Sequence, residues 1–393
     1  MNTPNPVNVR PHPGALACLL LAAVLLASAL PARAGGAPVP ARRGLETMTV
    51  NLYIGGGTET VMGLDPTDPN YLNNLVVAVT GLFYEVAGSQ PALRMDGVAA
   101  RIAARQPDIV GVEEATLIRL QSPGDLVAGG TTPATAVVFD YLQMLVDALA
   151  ARGQHYAVVS TSDEWDIELP MLQLGPDGLP TGVIDDVRQT DREAILVRTD
   201  LPPGQLRVAH PQSGHFANII EIPSLGFGIT RGWCSIDVSA RGECFRYVCT
   251  HLEEETSPLI QVAEARELLA GPARTWLPVV LVGDFNADPL HRDRPAGDPS
   301  AYPLIRAAGF CDSWAAVHPF NPKGGLTWGH DEFLADPTAL FDRRIDFVFV
   351  RGGCLIPLKA DAIDMALGRT ERPLWASDHA ALDVELLIGL GWF

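Results

Sequence analysis

Along this chain, runs of apolar residues alternate with polar turns, and the runs change period. From Met48 to Ile54 the residues suit a strand, which Gly55-Gly56-Gly57 would stop. After a turn-rich "LDPTDPNY", residues Tyr71–Ala87 and Arg94–Arg105 read as helices, the second with Val98 and Ile102 on one face. "PDIVGVEEA" predicts a short strand, and Gly124–Thr135 a loop. "AVVFDYLQMLVDALAARG" predicts one amphipathic helix closed by Gly153, and "HYAVVST" a strand. The stretch Asp163–Val187 is rich in Asp, Gly and Pro and predicts a long loop before the strand "DREAILVR".

"GWCSIDVSARGECFRYVCTHLE" predicts a hairpin turning at Arg241-Gly242. That register would set Cys234 opposite Cys249, the best candidate disulfide among the cysteines after Cys18; free buried thiols are an equal alternative. A helix over Pro258–Leu269 leads to the strand in "VVLVGDFNADP". A loop at Leu290–Ser300 and a helix near Tyr302–Ala308 follow, then strands in "RIDFVFVRG" and "SDHAALDVEL". Strands alternate with helices but hairpins also occur, so mixed sheets are expected rather than one parallel sheet.

Composition narrows the class. The chain has 393 residues, is 47% hydrophobic and 19% charged, and carries a formal charge of −18. A globular protein follows, and so acidic a surface opposes a broad nucleic-acid-binding face. The apolar run "GALACLLLAAVLLASAL" is followed by "ARA" at Ala32–Ala34, a small-x-small cleavage pattern. The run is short for a span of ~20 residues, so an export leader is favoured over an anchor. The expected organisation is a leader over residues 1–34, a flexible segment over 35–46 and one domain over 47–393. The mature protein would be secreted or periplasmic, monomeric and without a membrane span.

The strands share one peculiarity. Asn51, Glu113-Glu114, His251, Asp284 with Asn286, Asp346, and Asp378-His379 are polar groups attached to six apolar strands. Burying any of them alone is costly, so convergence on one cleft is the economical explanation. Carboxylates, amides and imidazoles without paired thiols suit a hard cation such as Mg²⁺, with Mn²⁺ or Ca²⁺ as alternatives, and that set suits phosphoester hydrolysis. Other polar residues invite plainer readings: a salt bridge for Arg192, core packing for Trp328, surface loop positions for His330 and Asp331, and a flexible turn for the triple glycine.

"NLYIG", "PDIVGVEEA", "DREAILVR", "CTHLE", "LVGDFNADP", "RIDFVFV" and "SDHAALDVEL" occur in the order that resembles the endonuclease/exonuclease/phosphatase superfamily. That superfamily includes deoxyribonuclease I, apurinic endonucleases, neutral sphingomyelinases and inositol polyphosphate 5-phosphatases. The resemblance implies a four-layer α-β-β-α sandwich with two mixed β-sheets. It implies Glu114 as the main metal ligand, with Asn51 and Asp378 completing or supporting the metal site; Glu113 stands where the family usually has Gln. It implies Asp284 and Asn286 holding water and phosphate, His251 donating to phosphate, and His379 as general base fixed by Asp346. Glu193 resembles the acid that pairs with the first histidine in deoxyribonuclease I.

The expected activity is a divalent-metal-dependent phosphodiesterase acting on nucleic acid or a phospholipid head group. A sphingomyelinase- or inositol-phosphatase-like activity, a catalytically silent binding module and a surface toxin or adhesin are the alternatives.

Overall fold

The computed structural model describes residues 44–389 apart from 203 and 291–296. The expected leader therefore lies outside the described residues. In chain order the strands are β1 (Gly44–Asn51), β2 (Ile109–Glu113), β3 (Leu117–Gln121), β4 (Ala136–Asp140), β5 (Tyr156–Leu174), β6 (Pro180–Arg198) and β7 (Leu206–Ile222). They continue as β8 (Phe227–Ala240), β9 (Glu243–His251), β10 (Val279–Asp284), β11 (Cys311–Asp312), β12 (Asp346–Arg351), β13 (Leu355–Ile363) and β14 (Ala381–Ile388). One sheet runs β13-β14-β1-β2-β6-β3-β4, with β5 also on β6; the other runs β11-β12-β10-β9-β8-β7. Both mix parallel and antiparallel pairs, as expected.

Strand periodicity builds the layers. In β1, Leu45 points between the sheets with Ile109, Ile236, Tyr247 and Val282, whereas Met48 and Val50 point outward. The first two helices are α1 (Glu59–Met62) and α2 (Tyr71–Gly88). The outward set packs on Val98 and Ile102 of α3 (Pro91–Arg105) and Leu145 and Leu149 of α4 (Tyr141–Ala151). On the far side, Leu281, Phe285 and Phe349 pack on Leu268 of α5 (Pro258–Ala270) and Ile305 of α6 (Ala301–Ala307). Four α-β-β-α layers result. Gly111 lets the sheets approach closely, since a Cβ there would lie 2.6 Å from Val282 Cγ2.

Several expectations change. Ala136–Asp140 is strand, not helix: Val137 and Phe139 pair with Arg119 and Ile118 of β3, and Asp140 caps α4 by accepting from Gln143 N at 3.2 Å. Asp163–Val187 is not a loop. It is the long β5–β6 hairpin, registered from Tyr156↔Arg198 to Leu174↔Pro180, with Asp166 ion-paired across strands to Arg188. Local turn composition lost to cross-strand pairing. Strands β7 and β13 had no clear local signal. Gly44–Glu46, expected to be flexible, belong to β1 and pair with Leu387, Leu386 and Glu385. The hairpin register holds, with Cys234 opposite Cys249, but both thiols are free, and Cys249 Sγ lies 3.1 Å from Glu113 Oε1.

Candidate active site

Sheet direction decides where the polar strand ends meet. β1 is parallel to β2, and β9 to β10, so Asn51, Glu114, His251 and Asp284 leave their strands at one edge. β12 is antiparallel to β10 and β14 to β1, so their beginnings reach the same edge. Asp346 accordingly opens β12 rather than lying inside it, and Asp378-His379 precede β14. Asp284 is in register with both His251 and Asp346. Asn51 joins the two sheets: its Nδ2 donates to Glu114 Oε1 at 2.9 Å and to Asp284 Oδ2 at 3.2 Å.

Three residues turn the chain into the site with left-handed backbone: Tyr53 (φ 58°), Glu114 (φ 53°) and Asn286 (φ 48°). Strain of this kind at three non-glycine positions on one edge marks a functional site. It lets Glu114 accept from Ile54 N at 2.8 Å, and Asn286 N donate to Asp284 Oδ1 at 2.9 Å. Between Asp284 and Asn286, Phe285 packs edge-on to Phe349 in the core.

Every expected residue gathers here, Glu193 one layer behind. His379 Nδ1 pairs with Asp346 Oδ2 at 2.9 Å, so Nε2 faces Asp284 Oδ2 at 3.7 Å. On the other side of that oxygen, His251 Nε2 lies 3.6 Å away. Both distances exceed a hydrogen bond and fit two imidazoles acting on one shared atom. Asn286 Nδ2 donates to Leu252 O at 3.0 Å and also sits 3.1 Å from His251 Nε2.

Electrostatics separate the two imidazoles. Burial pulls His379 down, but Asp346, Asp378 and Asp284 overcome it and hold the ring well above its ordinary value. Burial, Arg231 and His379 all push His251 well below its ordinary value, so it is neutral at pH 7. Asp284 is raised by burial and then by Asp346. Burial pushes Asp378 up to about 6 and Glu113 up to about 8. Glu113, at the Gln position of the resemblance, thus carries a proton at pH 7 and approximates an amide.

The donor set fits a hard cation at Glu114 and Asp378. Glu114 lies at the strand end among the groups that raise Asp378, and Asp378 Oδ1 is buried without a hydrogen-bond partner. Asn51 serves by orienting Glu114, because its own Oδ1 accepts from Tyr53 N at 2.8 Å. Asp284, Asp346 and His379 also bring ligand-type atoms within 4.8 Å of one another, but the Asp346–His379 hydrogen bond already accounts for two of them.

Sequence reasoning missed three groups. Arg231 Nη1 lies 3.1 Å from His251 Nδ1, closer than Glu193 Oε1 at 3.9 Å, so Glu193 is not the histidine's first partner. An arginine in the apolar "GITRGWC" was the available signal. Arg94 is fully buried and holds Leu52 O and Tyr53 O on one side and Ala376 O at 3.0 Å on the other, bracing two site loops. It lies four residues before Val98, on the same helix face, which the periodicity could have shown. Trp328 is half-buried at the cleft, its Nε1 donating to Asp378 Oδ2 at 3.2 Å, rather than a core residue. The plainer readings hold elsewhere: Arg192 pairs with Asp140 at 2.6 Å, and Asp331 ties up loop amides. His330 instead is buried, stacked on Trp375.

Buried acids around Arg231 give the fold a pH response. Burial pushes Glu264, on α5, up to about 8. An acid raised on folding favours the native state fully below its unfolded pKa, and that stability is lost as pH rises through the folded value. Metal-free protein is therefore expected to lose on the order of a few kcal/mol between about pH 5 and 8. In melting curves across that range, Glu264→Gln should decline less than the native chain; an equal decline would remove Glu264 as a source.

Fold and edge cluster together define an α-β-β-α sandwich of the deoxyribonuclease I-like class. The chain belongs to the Endonuclease/Exonuclease/phosphatase family, whose sequence profile matches residues 82–379. Members of that family hydrolyse phosphoesters. Among solved structures, a family protein from Bacteroides thetaiotaomicron is similar at 18% identity and TM-score 0.51, covering 89% of this chain and 96% of that one. One from Leptotrichia buccalis is similar at 14% identity and TM-score 0.50, covering 87% and 99%. One from Beutenbergia cavernae is similar at 20% identity and TM-score 0.50, covering 88% and 72%. A search of the curated proteins found no match.

Proposed function

We propose that this protein is an exported, divalent-metal-dependent phosphodiesterase. The carrying observation is the position of Asp284 Oδ2 between the Nε2 atoms of His251 and His379, at 3.6 and 3.7 Å, with Asp346 behind His379. In this reading Asp284 orients a water and the neutral form of His379 takes its proton at Nε2, so turnover should rise with pH as the imidazolium favoured by the surrounding acids deprotonates. Asp346 stabilises the resulting imidazolium. Arg231 can only donate, so facing Nδ1 it leaves the proton of neutral His251 on Nε2; Asn286 Nδ2, 3.1 Å away, is then a second donor beside it, and the pair is satisfied when both donate to a phosphoryl oxygen. Glu114 and Asp378 would hold the cation, which when bound supplies positive charge beside those oxygens.

The surroundings favour small diesters or lipid head groups over duplex nucleic acid. Near Glu114 the rim is acidic: a Cβ on Gly57 would meet Glu332 Oε2 at 2.4 Å and Glu59 Oε2 at 2.9 Å, and Gly57 N donates to Glu85. Carboxylates so placed repel a polyphosphate backbone. No helix among the described residues is long and apolar enough to cross a membrane. The leader-like N-terminus supports export, and N-terminal sequencing of protein recovered outside the cytoplasm tests it.

The functional test is a panel of bis-p-nitrophenyl phosphate, sphingomyelin, RNA and plasmid DNA, each with and without EDTA. EDTA is expected to abolish hydrolysis, and added Mg²⁺ or Mn²⁺ to restore it. Full turnover in EDTA would sink the metal assignment, and no turnover of any diester would sink the activity.

A further inference from the structure

Behind His251, on the side away from Asp284, two acid side chains meet in the interior. Glu193 comes from β6 and Glu164 from β5; they are 0% and 2% exposed. Glu193 is in register with Ser162, two residues before Glu164, so the two carboxyl groups lie close enough to interact, with the Ser162 hydroxyl beside Glu164. None of the four oxygens accepts a well-formed hydrogen bond from another protein donor. Glu164 is seated on bare backbone: a Cβ on Gly232 would lie 2.8 Å from its Oε2 and 2.9 Å from its Oε1. Gly232 is the register partner of His251. The acid pair therefore rests on the strand that backs the imidazole.

Two carboxylates in contact, away from water and without donors, cannot both stay ionised. A proton between them supplies the missing donor and removes one of the two charges. The charged and titratable groups around the pair include Asp191 on β6, His215 on β7, Arg231 and Cys234 on β8, His251 on β9 and Glu264 on α5. Arg231 pairs with Glu253 at 3.5 Å and with Asp191 at 3.8 Å. We propose that Glu164 is a positioning residue: it shares one proton with Glu193, and their single remaining charge joins those two acids in keeping Arg231 against Nδ1 of His251. Nε2–H of His251 is then held toward the phosphoryl group.

A metal ion is the competing occupant, since Asp191, Glu193 and His251 bring ligand atoms within 4.8 Å of one another. Arg231 argues against it. Its Nη1 already lies 3.1 Å from the Nδ1 that would ligate, and a guanidinium there would repel a second cation.

The catalytic consequence rests on the hydrolase reading; the shared proton does not, and it is measured apart from turnover. Infrared spectra of the full metal-free chain, labelled with ¹³C-glutamate, should show protonated carboxyl bands; once those removed by Glu113→Gln and Glu264→Gln are assigned, one further band should disappear in both Glu164→Gln and Glu193→Gln. Persistence of that band in either variant overturns the shared proton. So does binding of two Mn²⁺ per native chain that falls to one in Glu193→Gln.

On a small phosphodiester, Glu164→Gln should keep kcat within about threefold, because an amide can donate to Glu193. Glu164→Leu should lower kcat more than about tenfold with little change in KM, and shift the acid limb of the pH profile. Equal kcat loss in both variants, without a shift in that limb, overturns the positioning role. If the Leu variant does not fold, the infrared result on the Gln variants decides; if no diester is turned over, the infrared and Mn²⁺ results still do.

Discussion

His379→Ala is expected to reduce turnover of bis-p-nitrophenyl phosphate by roughly 10²–10⁴-fold, the usual range for a lost general base. The reason is geometric. The His379 ring connects Asp346, at 2.9 Å from Nδ1, with Asp284, at 3.7 Å from Nε2. Its placement is also over-determined: His379 N donates to Ser377 Oγ at 3.1 Å, and Ser377 Oγ donates to Asn51 O at 2.7 Å. The alanine variant keeps that backbone anchor, so circular dichroism and melting should show a folded protein. Asp346→Asn should also lower kcat, by less, because an amide still meets Nδ1 but stabilises no imidazolium. A folded His379→Ala protein with native turnover would end the base assignment.

Gly283→Ala is expected to prevent folding or to cost more than about 4 kcal/mol, among the largest single-residue effects. Gly283 lies in β10 between β9 and β12, with φ at 140°, a conformation that disfavours any side chain. An added Cβ would lie 1.8 Å from Thr250 O, which is backbone and cannot step aside. This close approach also brings Asp284 level with His251. Soluble expression and denaturant unfolding check it: a variant with native stability would mean that β9 and β10 are not packed this way. Because Gly283 presents no side chain to substrate, any activity loss should track loss of folded protein.

The segments that were legible in the sequence are those whose signal is local. The buried strands around "DIVGV" and "VVLVG" announce themselves as short apolar runs, and the helices at Tyr71 and Pro258 by length and period. The illegible ones depend on partners far along the chain. The β5–β6 hairpin has turn-like composition, and its Asp166 is settled only by ion pairs from Arg188 on β6 and Arg119 on β3. Ala136–Asp140 looks like the start of a helix until β3 offers it a ladder.

The same division runs through the site. The sequence by itself determined the chemistry on offer, because a carboxylate, amide or imidazole at the end of an apolar strand breaks the strand's own pattern. It therefore named Asn51, Glu114, His251, Asp284, Asn286, Asp346, Asp378 and His379. Only the tertiary structure decided who meets whom: Arg231 rather than Glu193 at His251 Nδ1, Glu164 beneath them, Arg94 behind two loops, and Trp328 on Asp378. Contacts such as Asn51 to Asp284, 233 residues apart, follow from sheet order and strand direction. No periodicity within a dozen residues encodes them.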